Sequence, residues 1–236
     1  ARAAWAALRG GDEPAPGIEV AAAVHELEVE GAPAAGAAVE SRGVSREFLS
    51  HLGAVTIAAL NRHAEGSALV FVPGAREVDH VVADLRSRLA GMEVVGLSGA
   101  MSAREQDHAL SDPGSVRRVI VSTAVAESSL TVPGVRLVVD SVLSREPRLD
   151  RGRGMTGLVT VRESRASAVQ RAGRAARLGP GVAVRCLRAH DWAGMCADPA
   201  PEVDHADLLA PLLSLAVWGS PRGEGMALPT PLPQDR

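Results

Sequence analysis

The chain has 236 residues, enough for one large domain or for a domain with an appendage. With 46% hydrophobic and 22% charged residues it can bury a core, which excludes a disordered chain. A net charge of −3 excludes a chain that is basic all over, so any nucleic-acid contact has to be local.

Aromatic residues are few (Trp5, Trp192, Trp218, Phe48, Phe71, no Tyr), so Ala, Val and Leu must build the core. There is no Lys, and every basic side chain is Arg, in keeping with the Ala, Gly, Arg and Val usage of a GC-rich genome. Cys186 and Cys196 are too isolated for a metal site or a disulfide framework, and a reducing cytoplasm is the expected compartment. No apolar run reaches the roughly 18 residues of a membrane span, and the start lacks a signal-peptide pattern. A start at Ala1 rather than Met is what an excised fragment or a processed product would show.

Along the chain, residues 1–9 read as a short Ala-rich helix, Ile18 to Val29 as strand-like, and Gly31 to Gly43 as a loop. Val44 to His63 has helical spacing, with Phe48, Leu52, Val55 and Ala59 on one side. Strands and helices then alternate. Ala68 to Val72, Glu93 to Leu97, Val116 to Ser122 and Val135 to Asp140 are short apolar runs typical of buried parallel strands. Between them lie helices at Arg76 to Leu89 and Ser102 to Leu110, the second opened by a capping box of Ser102 and Glu105. The pattern predicts a doubly wound α/β unit with a parallel sheet. Val142 to Leu149 and Leu158 to Arg162 flank the turn Asp150–Gly154, a projecting β-hairpin. A helix over Ser164 to Arg177, a strand Val182 to Leu187 and an amphipathic helix His205 to Trp218 complete the reading. The expected division is residues 1–17 as the end of a preceding segment, 18–188 as the main domain, and 189–236 as a linker and the start of a helical, winged-helix-like domain.

Three polar clusters follow strands, where open parallel sheets bind ligands. Pro73-Gly74 is ordinary turn chemistry on its own. Ser98 to Ser102 is either a capped helix start or a cradle for a backbone phosphate. Ser122 to Val132 holds five hydroxyl residues and one acid, and reads either as a connection rich in hydroxyl turns or as a polar binding loop. In the segment Ser164–Arg177, a continuous helix would place Gln170, Arg174 and Arg177 at i, i+4 and i+7, within a stripe about 60° wide. Ala168, Val169, Ala172, Ala175 and Ala176 would form the packing side. Two planar guanidiniums and an amide on one narrow face suit a polyphosphate, and a solvated basic face is the other reading.

The order of these motifs resembles the second RecA-like domain of superfamily-2 helicases of the DEAH/RHA type. Ser122 to Val132 looks like their motif V, Gln170 to Arg177 like motif VI, and Phe71 to Glu77 like motif IV. Leu97 to Gln106 and the hairpin at 142–162 also have counterparts there. The segment HADLLAPLLSLAVWG, at residues 205–219, adds a likeness to the bacterial HrpB group, running in all from Ile18 to Trp218. The family's usual Asn in motif V is Ala124 here, and its usual Gly in motif VI is Ala176.

The resemblance implies a P-loop-like domain without a Walker A motif, since a chain lacking Lys cannot form GxxxxGK[ST]. It implies ATP and Mg²⁺ held mainly by a first RecA-like domain, with Arg174 and Arg177 as arginine fingers and Gln170 positioning the attacking water. By the same likeness Ser129 and Thr131 face the nucleotide, and Leu110 takes the place of an adenine-stacking aromatic. Thr123, Ser98, Pro73 and Gly74 would touch the nucleic-acid backbone, with RNA favoured over DNA. The implied activity is ATP-dependent unwinding, by a protein with no membrane partner. Two other classes remain open: a stand-alone nucleic-acid-binding or protein-docking module, and a small-molecule enzyme using Glu127 or Asp140 as acid or base.

Overall fold

The computed structural model describes residues 25–225 except 42, 113, 115, 128, 129, 151, 206, 222 and 224. The expected helix at 1–9, the start of the first strand and the candidate Ser129 lie outside the described residues. The chain forms two compact units. One comprises residues 25–146 and 160–199; the other includes Pro147–Val159 and the segment from Ala200 onward.

The first unit is built on a parallel sheet of six strands: β1 (Leu27–Gly31), β4 (Ser67–Phe71), β5 (Glu93–Leu97), β6 (Arg118–Ser122), β7 (Val135–Asp140) and β10 (Gly181–Arg185), in the order β1-β10-β7-β4-β6-β5. In register, Leu69 lies opposite Ile120 and Val138, while Val70 lies opposite Val121 and Val139. Alternation then sorts the strands' apolar residues onto two faces. On one, Ala68, Val70, Val121 and Val139 pack with Leu52, Leu60, Val81 and Leu85 of helices α1 (Arg46–Arg62) and α2 (Ala75–Arg88). On the other, Leu69, Phe71, Ile120 and Val138 pack with Ala109 of α3 (Ala103–Leu110) and Ala172 of α4 (Arg165–Ala172). Both faces are covered, which is why the central strands read as unbroken apolar runs.

Each helix start is set by a local signal. Ser45 caps α1 by accepting from the Phe48 N–H at 3.0 Å, and Ser102 and Glu105 form the expected capping box on α3. Two of the helix ends in this unit are closed from a distance. Arg117 donates to the carbonyls of Leu60, His63 and Gly66, at and beyond the end of α1, and buried Arg118 to those of His108, Ala109 and Ser111, at the end of α3. An adjacent pair of arginines is thus spent on carbonyls that helices leave unpaired.

Four details depart from the expectations. A short antiparallel pair, β2 (Val39–Glu40) and β3 (Gly43–Val44), occupies the end of the stretch read as loop. The returning hairpin strand β9 (Met155–Arg162), paired with β8 (Leu143–Asp150), starts directly after the turn rather than at Leu158. The last helix of the second unit, α5 (Leu209–Trp218), begins later than His205, behind a short 3₁₀ turn at Glu202–Asp204. The largest departure is in the arginine segment. Helix α4, capped by Ser164, ends at Ala172, and 3₁₀-type turns follow, with Arg174 N–H on Arg171 O and Ala175 N–H on Ala172 O, each 3.0 Å. Gly173 is a weak helix former, and the Arg174 side chain is drawn away to another loop. Arg174 and Arg177 therefore lie beyond the helix and not on a helical stripe with Gln170. Val169, expected on the packing side, is 56% exposed.

Candidate functional site

The carboxyl ends of β4, β6 and β5 lie side by side, so the loops that begin at Val72, Thr123 and Ser98 share one edge of the sheet. The β6 loop turns at once into a 3₁₀ segment, Ala124–Ala126, whose buried Ala126 anchors it on the core face of α3 and α4. That anchor presents the backbone of Glu127 and Leu130 to the turns after α4. Arg174 donates from Nε to Glu127 O at 2.9 Å and from Nη1 to Leu130 O at 2.9 Å, and Nη2 also reaches Glu127 O. Three of its five N–H groups are used this way; two have no partner among the described residues.

Arg177 is exposed and makes no side-chain hydrogen bond or ion pair among the described residues. Burial, and then the neighbouring Arg177 charge, lower the Arg174 pKa from its ordinary value, while Glu127 works the other way. Two neighbouring guanidiniums of like charge are a donor set of the kind that an anion can bridge. Gln170 is exposed in the last turn of α4, and Thr131 is exposed on the same loop as Glu127. Leu110 is half-buried and packs on the apolar cluster that also seats Leu130 and Ala175.

The four residues expected to meet nucleic acid divide. Thr123 is half-buried, and its N–H is held by Leu97 O at 3.1 Å. Pro73, Gly74 and Ser98 are buried. Gly74 is roofed by the ion pair of Arg145 and Glu77, at 3.2 Å, and a Cβ at Gly74 would lie 2.7 Å from Arg145 Nε. Arg145, at the root of the hairpin, is thus the more open basic group over the β4 loop, and sequence reasoning had not singled it out.

The largest omission is Arg171. Its side chain is 1% exposed and lies among three carboxylates: Glu127 at 3.0 Å, Asp140 at 3.2 Å and Glu163 at 2.5 Å. It also donates to Leu143 O at 3.1 Å and stacks over Phe71, 5.0 Å from the ring centroid. Burial works against its charge, but the carboxylates outweigh it and raise its pKa above the ordinary value. Burial, together with the negative charge of Asp140, pushes the Glu163 carboxyl up to about 10. Three acidic side chains thus share one buried guanidinium. Glu127 and Asp140, left without visible partners in the sequence, are bound to this arginine, which gives the acid-base enzyme reading nothing to stand on. The signal was present: Ala168, Arg171 and Ala172 are the buried residues of α4, so an arginine occupies the core-facing phase of a helix.

Next to this cluster the chain leaves β7 through a strained residue. Val142, β-branched and buried, has φ of 57°. Its N–H donates to Asp140 Oδ1 at 2.9 Å, and its carbonyl accepts from the Glu163 N–H at 3.2 Å, which closes the base of the hairpin. Among the described residues no group of His, Cys, Asp and Glu is arranged to hold a metal ion, and no helix is long and apolar enough to cross a membrane.

Residues 49–179 match the family model described as "Helicase conserved C-terminal domain". The chain is 41% identical over 169 residues to the ATP-dependent RNA helicase HrpB of Escherichia coli (strain K12), covering 70% of this chain and 21% of that protein. It is 33% identical over 172 residues to a probable ATP-dependent RNA helicase, the DHX35 homolog of Caenorhabditis elegans, covering 70% and 24%. Two crystal structures of E. coli HrpB, one described as a DExH-box NTPase and one as a DEAH/RHA helicase, superpose with TM-scores of 0.75 and 0.78 at 33% identity. They cover 89% of this chain and 25% and 26% of theirs. The chain thus spans about a quarter or less of the length of these relatives. A six-stranded parallel sheet and a separate β8–β9 hairpin, with motifs IV, V and VI in order along one chain, accord with these matches, and the chain belongs to the helicase C-terminal domain family represented by HrpB and other DEAH/RHA helicases.

Proposed function

We propose that this domain is the second half of an ATP-driven RNA-unwinding motor, completed by a first RecA-like domain that carries the Walker A loop and the acidic residues for Mg²⁺. The observation that carries the reading is the pair Arg174 and Arg177: one is fixed to the motif V backbone with two N–H groups left over, and the other stands unopposed beside it. Such a pair fits the γ-phosphate of ATP. Hydrolysis builds negative charge on the transferring phosphoryl group, and fixed guanidinium donors stabilise it without reorganising. Gln170, Ser129 and Thr131 are assigned to the nucleotide side, with Gln170 orienting the attacking water. Leu110 offers only an apolar edge to a base, which accords with weak nucleotide selectivity.

On the nucleic-acid side, Thr123 is the accessible member of the expected set, Ser98 and Pro73 are buried, and a strand reaches Gly74 only after Arg145 moves aside. Contacts of this kind fix register and do not read sequence. The relatives' names, ATP-dependent RNA helicases, support RNA as the proposed substrate. In the full-length protein, Arg174→Ala and Arg177→Ala are each expected to lower RNA-stimulated ATP hydrolysis by about 10³-fold, the scale of arginine fingers in characterised NTPases. A rate within about twofold of wild type for both variants would remove the finger assignment. RNA and DNA duplexes compared in the same assay decide the substrate preference.

A further inference from the structure

We propose that Arg171 is a positioning residue that couples the nucleotide site to the hairpin, and that it acts through both of the hairpin's roots; the inference rests on the helicase reading above. Glu127 is the meeting point. Its backbone carbonyl receives Arg174, and its carboxylate receives Arg171 Nε at 3.0 Å and Ser167 Oγ at 2.9 Å. From Arg171 the contacts continue to the outgoing root, through Leu143 O at 3.1 Å and Asp140 Oδ1 at 3.2 Å, and to the returning root, through Glu163 Oε2 at 2.5 Å. One guanidinium thus spans the motif V loop, the motif VI helix and the two chain segments between which β8 and β9 are strung.

Two further observations separate this network from a passive core ion pair. An isolated buried arginine is satisfied by one carboxylate and a few carbonyls, whereas here three acidic side chains, from three separate chain segments, converge on it. The outgoing root also stores backbone strain at Val142, whose N–H and carbonyl are held by Asp140 and Glu163, two of the residues that Arg171 grips. A change in how Arg174 is held therefore reaches the hairpin through one continuous set of hydrogen bonds. It ends at Val142, whose N–H bonds Asp140 Oδ1 and whose carbonyl accepts from the Glu163 N–H.

The test uses the full-length protein, with ATP hydrolysis and RNA duplex unwinding measured in parallel. Arg171→Lys keeps the charge but loses the fork that reaches several partners; Glu163→Ala removes the side-chain contact with the returning root and leaves Arg171 its bonds to Leu143 O and Asp140. Both are expected to reduce base pairs opened per ATP by about tenfold while RNA-stimulated hydrolysis stays within about threefold of wild type, the range of ordinary coupling energies. A merely structural role would lower both activities together and would leave their ratio unchanged. Unchanged ratios, or parallel losses, in these variants overturn the proposal. If Arg171→Lys does not fold, Glu163→Ala decides alone. Absence of RNA-stimulated hydrolysis in the wild-type protein would sink the helicase reading itself, and the coupling proposal with it.

Discussion

Arg171 and Arg174 stand three positions apart with the same charge, yet their surroundings give them opposite tasks. Arg171 is enclosed by acids and 1% exposed, so a ligand does not reach it, whereas Arg174 is only half-buried and spends three N–H groups on backbone carbonyls. The acid beside Arg171 makes a pH prediction. Glu163 is held near 10 in the folded chain against an ordinary 4.5, so between these values the folded state keeps a proton that the unfolded state releases. Stability at this residue is full below the unfolded value and is lost as pH rises towards the folded one. Urea midpoints of the wild type are expected to fall between about pH 6 and about pH 8, and Glu163→Gln, neutral throughout, should flatten that slope. Identical slopes would show that Glu163 is ionised in the fold. The window stays below the range in which Cys186, pushed up to about 12 by burial and then by Asp140, begins to contribute.

At the scale of elements, strands and capped helices were legible because their signals are local. The buried strands read as apolar runs, and Ser102 with Glu105 wrote its own helix start. The end of α4 was not legible. Periodicity continued through Arg174 and Arg177, but the hydrogen bonds that redirect Arg174 come from residues 127 and 130, more than forty positions earlier. Arg145 over Gly74 was hidden for the same reason, and so were Glu127 and Asp140 as partners of Arg171, although the core-facing phase of Arg171 could be read from its helix. The strand that follows the arginine turns fixes their position by close approach. A Cβ at Gly181 would lie 2.2 Å from the carbonyl oxygen of Ala175, which cannot yield without moving the turn between Arg174 and Arg177. Gly181→Ala is expected to destabilise the domain by about 1–3 kcal/mol, as overpacking does. In the full-length protein it should also slow ATP hydrolysis. Wild-type melting and turnover in this variant would mean that the turn has slack.

For the molecule as a whole, charge balance sets how nucleic acid can be met. A net charge of −3 leaves no general attraction, and several arginines that would supply it are used internally on carbonyls and carboxylates. Affinity then depends on a few exposed groups and on the rest of the protein, of which this chain is about a quarter or less of the length in its relatives. The fold class was readable from alternation, and the family from motif order. The buried polar network was not, because no single motif contains it.

The absence of lysine gives the placement of the arginines a practical consequence. Trypsin can cut this chain only after arginine, so its accessible bonds are a map of which guanidiniums the fold has claimed. Arg153 lies in the hairpin turn with its side chain 82% exposed, while Arg118 and Arg171 are buried at the two ends of the sheet's strands. Among the described residues, limited digestion is expected to open the turn at Arg153 early and to spare Arg118 and Arg171 until the domain unfolds globally, as mass spectrometry of the fragments would show. Early cleavage at Arg171 would mean that the guanidinium and its three acids part company in solution.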